Sequence, residues 1–361
     1  MRKSTRLTAV ALIATFGLLA AACGDDKKSE GTTAGTAGGT TTVPACPENT
    51  GPAPTDLKLG VAFDTGGRGD GTFNDSAGLG ADRAVTELGA VKQEIEAVNE
   101  QDRQPNLEAL VNAGNSPVIA VGFAFGDALA NIAAANCDTV FGWIDGYFDA
   151  PNIKTTGFAE EQGSFLVGAA AALKSETGHL GFIGGQEIDL IKKFEAGYIA
   201  GAKAINPDIV VESQYLGAAG DNNAWGSPDK AKEIALSWYN DKDVDVIYTA
   251  AGGSGNGTIE AAVEAGKWAI GVDSDQYNTS TVAGAKDHIL TSMLKRVDTA
   301  VFEFAKAVKD GDLSGGFKTF NLANDGVGYS TSGGYLDDIK DQLEALKAKI
   351  ISGEIEVPTK P

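Results

Sequence analysis

Histidine and basic charge are both scarce in this chain of 361 residues, and each shortage argues against a class of function. The sequence has only two histidines and three cysteines, so it offers no Cys/His cluster that could hold a metal ion. Lysine and arginine number 29 against 49 aspartates and glutamates, which gives a net charge of −20. Such acidity disfavours nucleic acid and anionic lipid surfaces as partners, because both carry negative charge.

Motifs of common enzymes are also missing. The sequence contains no G-x-x-x-x-G-K-[ST] phosphate loop and no G-x-S-x-G nucleophile elbow. The glycine-rich segment 66–71 does not fit the dinucleotide-binding spacing, and segment 252–257 fits it only loosely. No nucleophile beside a general base stands out either. We therefore expect no cofactor and no enzymatic activity.

The first 23 residues have the layout of an export signal. Three basic residues lie within the first six positions, an apolar stretch covers residues 7–22, and small residues precede Cys23. The sequence LLAAAC is similar to a bacterial lipobox, whose cysteine becomes the lipidated mature N terminus, although Ala20 stands where leucine is usual. A cleaved signal without lipid and a transmembrane anchor are the alternatives, and the stretch is short for an anchor of about 20 residues.

Residues 24–55 are rich in Gly, Thr, Ala, Ser and Pro and have almost no large apolar side chains. Such a segment buries too little surface to offset the entropy of ordering, so we predict a flexible tether. An exported chain meets oxidising conditions, and a disulfide between Cys46 and Cys137 would fix the end of the tether to the folded body. Two separate thiols are the alternative.

From residue 56 onward, short apolar runs alternate with amphipathic helical patterns. This alternation predicts βαβ units with parallel sheets, and the length suits two α/β lobes. The turn before residue 152 and a second crossing between residues 275 and 290 would divide them. Lobe one is predicted to span residues 56–158 plus about 276–310, and lobe two residues 159–275 plus about 311–361. Several connecting strands would form a hinge that closes around a ligand.

Segment 60–76, GVAFDTGGRGDGTFNDS, is the most informative stretch of the sequence. An apolar strand ends at Asp64, a glycine-rich loop follows, and a helical pattern begins near residue 77. In open α/β sheets the ligand binds beyond the carboxyl ends of the strands, where such loops lie. The carboxylate of Asp64, the ring of Phe73 and the amide of Asn74 together suit a polar small molecule that contains a ring.

The chain resembles the basic membrane protein family of bacterial lipoproteins from residue 59 onward. The blocks that carry the resemblance occur in order as AFDTGGRGDGTFNDS, VIAVGFAFGDAL, VFGWIDG, GSFLVGAAAAL, GHLGFIGG, FEAGYIAGAKAINPDI, DVIYTAAGGSGNG, AIGVDSDQ and LTSMLKRVD. The resemblance implies a type I periplasmic-binding fold with two Rossmann-like lobes. It also implies a monomer that faces outside the cytoplasm, binds a purine nucleoside and docks on the permease of an ABC importer.

The resemblance further implies a ligand site made of nine positions in this sequence. They are Asp64, Phe73, Asn74, Asp145, Trp225, Gly252, Gly253, Asp273 and Lys295.

The aromatic positions would hold the purine base between two faces. Phe73 lies on a polar loop, where a core aromatic would be out of place, and stacking adds to apolar burial. Trp225 is the choice for the second face and Phe194 is the alternative, since the loop around Trp225 departs from the family pattern. Asn74 can both donate to and accept from a purine edge, although it could instead cap the helix that follows.

The charged positions would hold the ribose. Asp64, Asp145 and Asp273 each end an apolar strand, where a carboxylate can accept from hydroxyls, although capping aspartates are common at such places. Lys295 would donate to the ligand and offset the acids, or it is a solvated surface lysine. Glycines at positions 252 and 253 would let the backbone approach the ligand closely.

Two other functions are compatible with the sequence. The same fold could bind a sugar or a free purine base, because the loop around Trp225 is altered. The long tether would also suit a surface lipoprotein whose function is adhesion or sensing.

Overall fold

The computed structural model describes residues 46–361. The predicted signal segment 1–23, lipidation at Cys23 and the larger part of the predicted tether lie outside the described residues. Among the helices described from residue 46 onward, none combines the length and the apolar character that a membrane-crossing helix needs.

Strands and helices alternate along most of the described chain. Within residues 46–361 the strands are β1 Lys58–Phe63, β2 Val91–Glu96, β3 Val118–Val121, β4 Phe141–Ile144, β5 Ile153–Phe158, β6 His179–Gln186, β7 Val210–Gly217, β8 Val246–Ala250, β9 Trp268–Asp273, β10 Ile289–Lys295, β11 Gly316–Phe320 and β12 Val327–Tyr329. In the same part of the chain the α-helices are α1 Phe73–Leu88, α2 Arg103–Asn112, α3 Gly126–Ala135, α4 Glu160–Lys174, α5 Asp189–Ile205, α6 Pro228–Asp241, α7 Gly255–Ala265, α8 Gln276–Thr279, α9 Val297–Lys309 and α10 Lys340–Ile351.

The strands form two six-stranded sheets. The first has the order β11-β5-β4-β3-β1-β2, and all its pairings are parallel. The second has the order β12-β10-β9-β8-β6-β7 and is parallel except for β12, which pairs antiparallel with β10. This arrangement confirms the predicted fold class of two α/β lobes.

The central strands are buried without interruption and largely apolar. Residues 59–63 of β1 and every residue of β8 are buried. Parallel sheets with helices on both faces require such strands, because neither face meets water. The sequence therefore shows short continuous apolar runs where these strands lie.

Strand pairing corrects the predicted lobe boundaries. The chain passes from one sheet to the other after Phe158, after Lys295 and again between Phe320 and Val327. The sequence places residues 276 to about 310 in lobe one, but β10 belongs to the second sheet, whereas α9 packs on lobe one, against α1. The sequence places residues 311–361 in lobe two, but β11 pairs with β5 in lobe one. Apolar periodicity identifies a strand and leaves its partner undefined.

Helices α4 and α5 are held in close contact, and their N-terminal ends lie beside the segment after Phe158 where the chain first passes between the two sheets. A Cβ atom on Gly197 would clash with the carbonyl oxygen of Glu161, and one on Gly201 would clash with that of Phe165. Glycine is required at both positions because the two backbones approach each other there. This packing fixes where the first turns of both helices lie.

A disulfide joins Cys46 to Cys137, with the two Cα atoms 5.3 Å apart. Nearby, Nδ2 of Asn49 donates to the carbonyl oxygen of Asp138 at 3.5 Å, and Ala53 lies against Gly311. The last ten residues of the predicted tether therefore run along lobe one and belong to the folded body.

Candidate functional site

All nine predicted site residues line one cavity between the lobes. The empty space at the cavity measures roughly 750 Å³, including the part that is open to solvent. Both sheets direct the carboxyl ends of strands at it, which is where ligands bind in this class of fold. Other lining residues include Asp70, Phe123, Ile191 and Phe194.

Three of the carboxylates follow or end strands that point at the cavity. Asp64 follows β1, Asp145 follows β4 and Asp273 is the last residue of β9. Asp145 and Asp273 have φ angles of 64° and 62°. This left-handed conformation is unfavourable for a residue with a Cβ atom, and it concentrates at functional sites.

Asp64 is fixed by a residue that the sequence did not single out. Oδ1 of Asp64 accepts from the backbone N–H of Thr65 at 2.7 Å and from Nε of Arg103 at 2.8 Å. Arg103 begins α2, and its side chain is largely buried. Both donors use the same oxygen, so Oδ2 of Asp64 is left for other contacts. No motif marks Arg103, because its pairing with Asp64 depends on how α2 packs beside β1.

Lys295 lies at the centre of the buried charges. Its side chain is 2 % exposed, and Nζ lies 2.7 Å from Oδ2 of Asp145 and 3.2 Å from Oε1 of Glu160. Burial acts against the charged form, but the neighbouring carboxylates outweigh it and hold the pKa of Lys295 above its ordinary value. The alternative of a solvated surface lysine is therefore wrong.

Aromatic rings surround the same ammonium group. Nζ of Lys295 lies 5.2 Å from the ring centre of Phe73, 4.8 Å from that of Phe158 and 5.7 Å from that of Phe194. Ring faces attract a cation at these distances. Lys295 thus interacts favourably with both the buried carboxylates and the aromatic rings around it.

Glu160 is the second residue at the site that the sequence did not single out. It follows the first crossing, is fully buried, and lies between Lys295 and Lys193, whose Nζ is 3.1 Å from Oε2. Lys193 also donates to the carbonyl oxygen of Phe158 at 3.3 Å. The charges therefore link α4, α5 and β10 at the point where the lobes connect. Its place directly after a predicted crossing is the one sequence signal that could have identified Glu160.

Burial raises the pKa of both deep aspartates. For Asp145 the attraction of Lys295 opposes this shift, and repulsion from Glu160 adds to it. For Asp273 the balance gives a pKa of about 7. Oδ1 of Asp145 is buried and has no hydrogen-bond partner among residues 46–361. The cavity therefore has acceptors in excess, and it suits a ligand that is rich in hydrogen-bond donors.

The two candidates for the second aromatic face occupy different places. Phe194, on α5, is 3 % exposed and belongs to the hydrophobic core beneath the cavity. Trp225 is half-buried, and its ring lies over Gly185 and meets that of Phe123 edge-on, with centroids 6.2 Å apart. Phe123 belongs to lobe one and Trp225 to lobe two, so this contact closes one side of the cavity.

Further hydrogen bonds join the lobes at the rim. Oγ of Ser274 donates to the carbonyl oxygen of Thr72, and Oγ1 of Thr279 to that of Gly71, both at 2.8 Å. The acceptors lie in the glycine-rich loop of lobe one and the donors in lobe two. The lobes are therefore in contact at the rim of the cavity, as in the closed state of two lobes joined by a hinge.

Comparison with known proteins identifies the family. Residues 57–361 match the model of the Bmp family, described as ABC transporter substrate-binding protein PnrA-like. The chain belongs to the Bmp family. It is therefore an ABC transporter substrate-binding protein, a role that requires a ligand and a permease and places the binding site outside the cytoplasm.

Curated relatives agree with this assignment. One relative is the ABC transporter nucleoside-binding protein BmpA from Lactococcus lactis. It is 35 % identical over 324 residues, which cover 85 % of this chain and 90 % of that protein. The CD4+ T-cell-stimulating antigen of Listeria innocua is 33 % identical over the full length of both chains. Basic membrane protein A of Borreliella burgdorferi is 32 % identical over 80 % of this chain and 84 % of its own.

Solved structures share the fold. A solute-binding protein of an ABC transporter from Aeropyrum pernix has a TM-score of 0.73 and 27 % identity, and covers 84 % of this chain and 93 % of its own. A second solute-binding protein, from Conexibacter woesei, has a TM-score of 0.68 and 22 % identity, with 84 % and 99 % coverage.

Proposed function

We propose that this protein captures a purine nucleoside in the cavity between its lobes and delivers it, chemically unchanged, to an ABC permease. The observation that carries the proposal is the convergence of Phe73 and Trp225 with three strand-end carboxylates on one cavity. Aromatic faces suit a base, and carboxylates suit the hydroxyl groups of a ribose. The relative from Lactococcus lactis, which is described as nucleoside-binding, supports the same ligand class.

The base would lie between Phe73 and Trp225. These residues come from different lobes, so a base held between them would favour closure. Gly252 has a φ of 55°, and Gly253 faces the cavity beside it, so the backbone can approach the ligand where a side chain would intrude.

The ribose would lie against the acidic side of the cavity. Oδ2 of Asp64, Oδ1 of Asp145 and the carboxylate of Asp273 are the acceptors available for its hydroxyls. The positive charge of Lys295 stabilises these buried acids. Its ammonium group already contacts Asp145 and Glu160, which leaves little of it for the ligand. We assign it to holding Asp145 in place more than to contacting the ligand.

Titration calorimetry with inosine, guanosine, adenosine, ribose, hypoxanthine and inosine 5′-phosphate tests the proposal. We expect heat from at least one nucleoside and much weaker binding of free ribose and free base, because each lacks half of the contacts. The phosphate ester should bind at least about 100-fold more weakly than inosine, since a dianion would be buried among carboxylates. If the folded protein binds ribose or the base as tightly as every nucleoside, the ligand class is wrong. If no member of the panel binds to the folded protein, the proposal of a purine nucleoside is wrong.

Nucleoside affinity is expected to fall as the pH falls through 7. Burial raises the pKa of Asp273 to about 7, with Lys295 opposing the shift and Asp145, Asp70 and Glu160 adding to it. A ribose hydroxyl donates to the charged carboxylate, so a proton already bound there must leave first. Between about pH 8 and about pH 6 the charged fraction of such a group falls about tenfold, and the affinity should follow it. Calorimetry across this range measures the change.

Asp273→Asn is the control for the pH experiment. This variant should bind the nucleoside more weakly at pH 8 and should show little further change at pH 6, because the titrating group is gone. An equally steep pH dependence in the variant would assign the effect to another acid.

The membrane attachment in this proposal is a lipid on Cys23, for which the small residues before that cysteine are the support. Cells that express the protein should incorporate labelled palmitate into it, and Cys23→Ala should abolish the labelling. Labelling that persists in the variant would contradict the lipid anchor.

A further inference from the structure

Asp70 lies in the glycine-rich loop between β1 and α1 and lines the cavity. Its carboxylate accepts from the backbone N–H groups of Thr72 and Asn74 at 2.9 Å and of Asp75 at 3.1 Å. These bonds satisfy the first donors of α1, as an N-terminal capping residue does. One more bond goes to a side chain, because Nδ2 of Asn74 donates to Oδ2 of Asp70 at 3.2 Å.

This side-chain bond decides which way the amide of Asn74 faces. Backbone N–H groups favour the ionised form of Asp70, and an ionised carboxylate can only accept, so Asn74 must turn its NH₂ group toward Asp70. The carbonyl atom Oδ1 of Asn74 is then left on the other side of the amide. It is buried, and it has no hydrogen-bond partner within the described part of the chain.

A buried acceptor without a donor is unfavourable, and the cavity that Asn74 lines is the space from which a donor can come. Reversing the amide would place Oδ1 against the carboxylate of Asp70, which repels it. The acceptor therefore stays directed away from Asp70 whether or not a ligand is present.

We propose that Asp70 is a specificity-determining residue that fixes Asn74 as a hydrogen-bond acceptor, so that the ligand must present an N–H donor on the edge of its base. This inference rests on the proposed function, since it assumes that a base occupies the cavity. It adds a requirement that stacking and ribose contacts do not impose. The competing explanation is that Asp70 does no more than cap α1.

The ligand test compares inosine with purine riboside, which has the same ribose and ring system but no N–H on its base. The wild-type protein should bind inosine about 10- to 100-fold more tightly, because purine riboside leaves Oδ1 of Asn74 unpaired. Adenosine, which carries an exocyclic amino group, serves as a second donor ligand.

Asp70→Asn tests the role of Asp70 itself. An asparagine at position 70 can donate to Asn74, so the amide of Asn74 can reverse and offer NH₂ to the ligand. The preference for inosine over purine riboside should then fall to within about threefold. Asp75→Asn is the matched control, because Asp75 lies in the first turn of α1 and accepts from the backbone of Gly69 and Gly71 in the loop that contains Asp70. It should keep the wild-type preference.

The outcomes separate the two proposals. Failure of the wild-type protein to bind any nucleoside defeats the proposed function. Equal binding of inosine and purine riboside by the wild type, or an unchanged preference in folded Asp70→Asn, overturns the role of Asp70 while the nucleoside site stands. An equal loss of preference in Asp75→Asn would also overturn it. Circular dichroism melting checks the fold, and Asp70→Ser, which keeps a capping oxygen, replaces Asp70→Asn if that variant does not fold.

Discussion

Lys295→Met is expected to lower the free energy of unfolding by about 3–5 kcal/mol, because it leaves Asp145 and Glu160 buried without their counter-charge. The ammonium group lies within 3.2 Å of both carboxylates, and its side chain is 2 % exposed. Methionine fills a similar volume, so the loss reports the charge more than the packing. Urea denaturation followed by tryptophan fluorescence measures it, and nucleoside binding should fall with it because Asp145 loses its position.

Lys193→Met is the matched control for this prediction. Lys193 pairs with the same Glu160, but its side chain is 33 % exposed, so its removal should cost about 1 kcal/mol or less. The loss of unfolding free energy in Lys295→Met should also become smaller at lower pH. Burial already raises the pKa of Asp145, so in the variant a proton can bind there and remove the uncompensated charge. Equal deficits in both variants would show that the buried charges do not depend on Lys295.

Phe73→Ala is expected to weaken nucleoside binding by about 10- to 100-fold, the usual effect of removing one stacking face from a bound base. The ring lines the cavity at the start of α1, and its partner face would come from the other lobe. Stability should change much less, because Phe73 is only half-buried. Calorimetry with the preferred nucleoside measures the affinity, and thermal melting measures the stability.

Phe317→Ala is the control for the stacking experiment. Phe317 lies on the edge strand β11, is 51 % exposed and does not line the cavity, so the affinity should not change.

The second aromatic face is tested in the same way. Trp225→Ala should weaken nucleoside binding as Phe73→Ala does, whereas Phe194→Ala should mainly lower stability. If only Phe194→Ala weakened binding at unchanged stability, Phe194 would be the second face and the choice of Trp225 would be wrong.

Much of the fold could be predicted because parallel sheets leave a simple pattern. Continuous apolar runs such as 59–63 identify buried strands, and the alternation with helices predicts the α/β class. The lobe boundaries could not be predicted in the same way. The apolar run of β10 would be the same whichever sheet the strand joined. The edge strand β11 is mostly exposed and has a weak apolar pattern, so its sequence does not indicate its sheet either.

The ordered family blocks already contained eight of the nine site positions, all except Trp225. The carboxyl-end rule explains why they meet at one cavity. What the sequence did not contain is how those residues are paired. Asp64 with Arg103 is a contact across 39 positions, and Asp145 with Lys295 a contact across 150. Such pairs form only after helices pack on sheets and the chain crosses between lobes.

The sequence by itself thus determined the α/β class, the family and nine of the residues that line the cavity, because these follow from local pattern and from position at strand ends. The tertiary structure alone decided their chemical state. Whether Lys295 is solvated or buried, whether Asp273 is charged at neutral pH, and which way Asn74 turns its amide all depend on neighbours brought together through space. Desolvation and Coulomb interactions act over distances in space, and separation along the chain does not predict them.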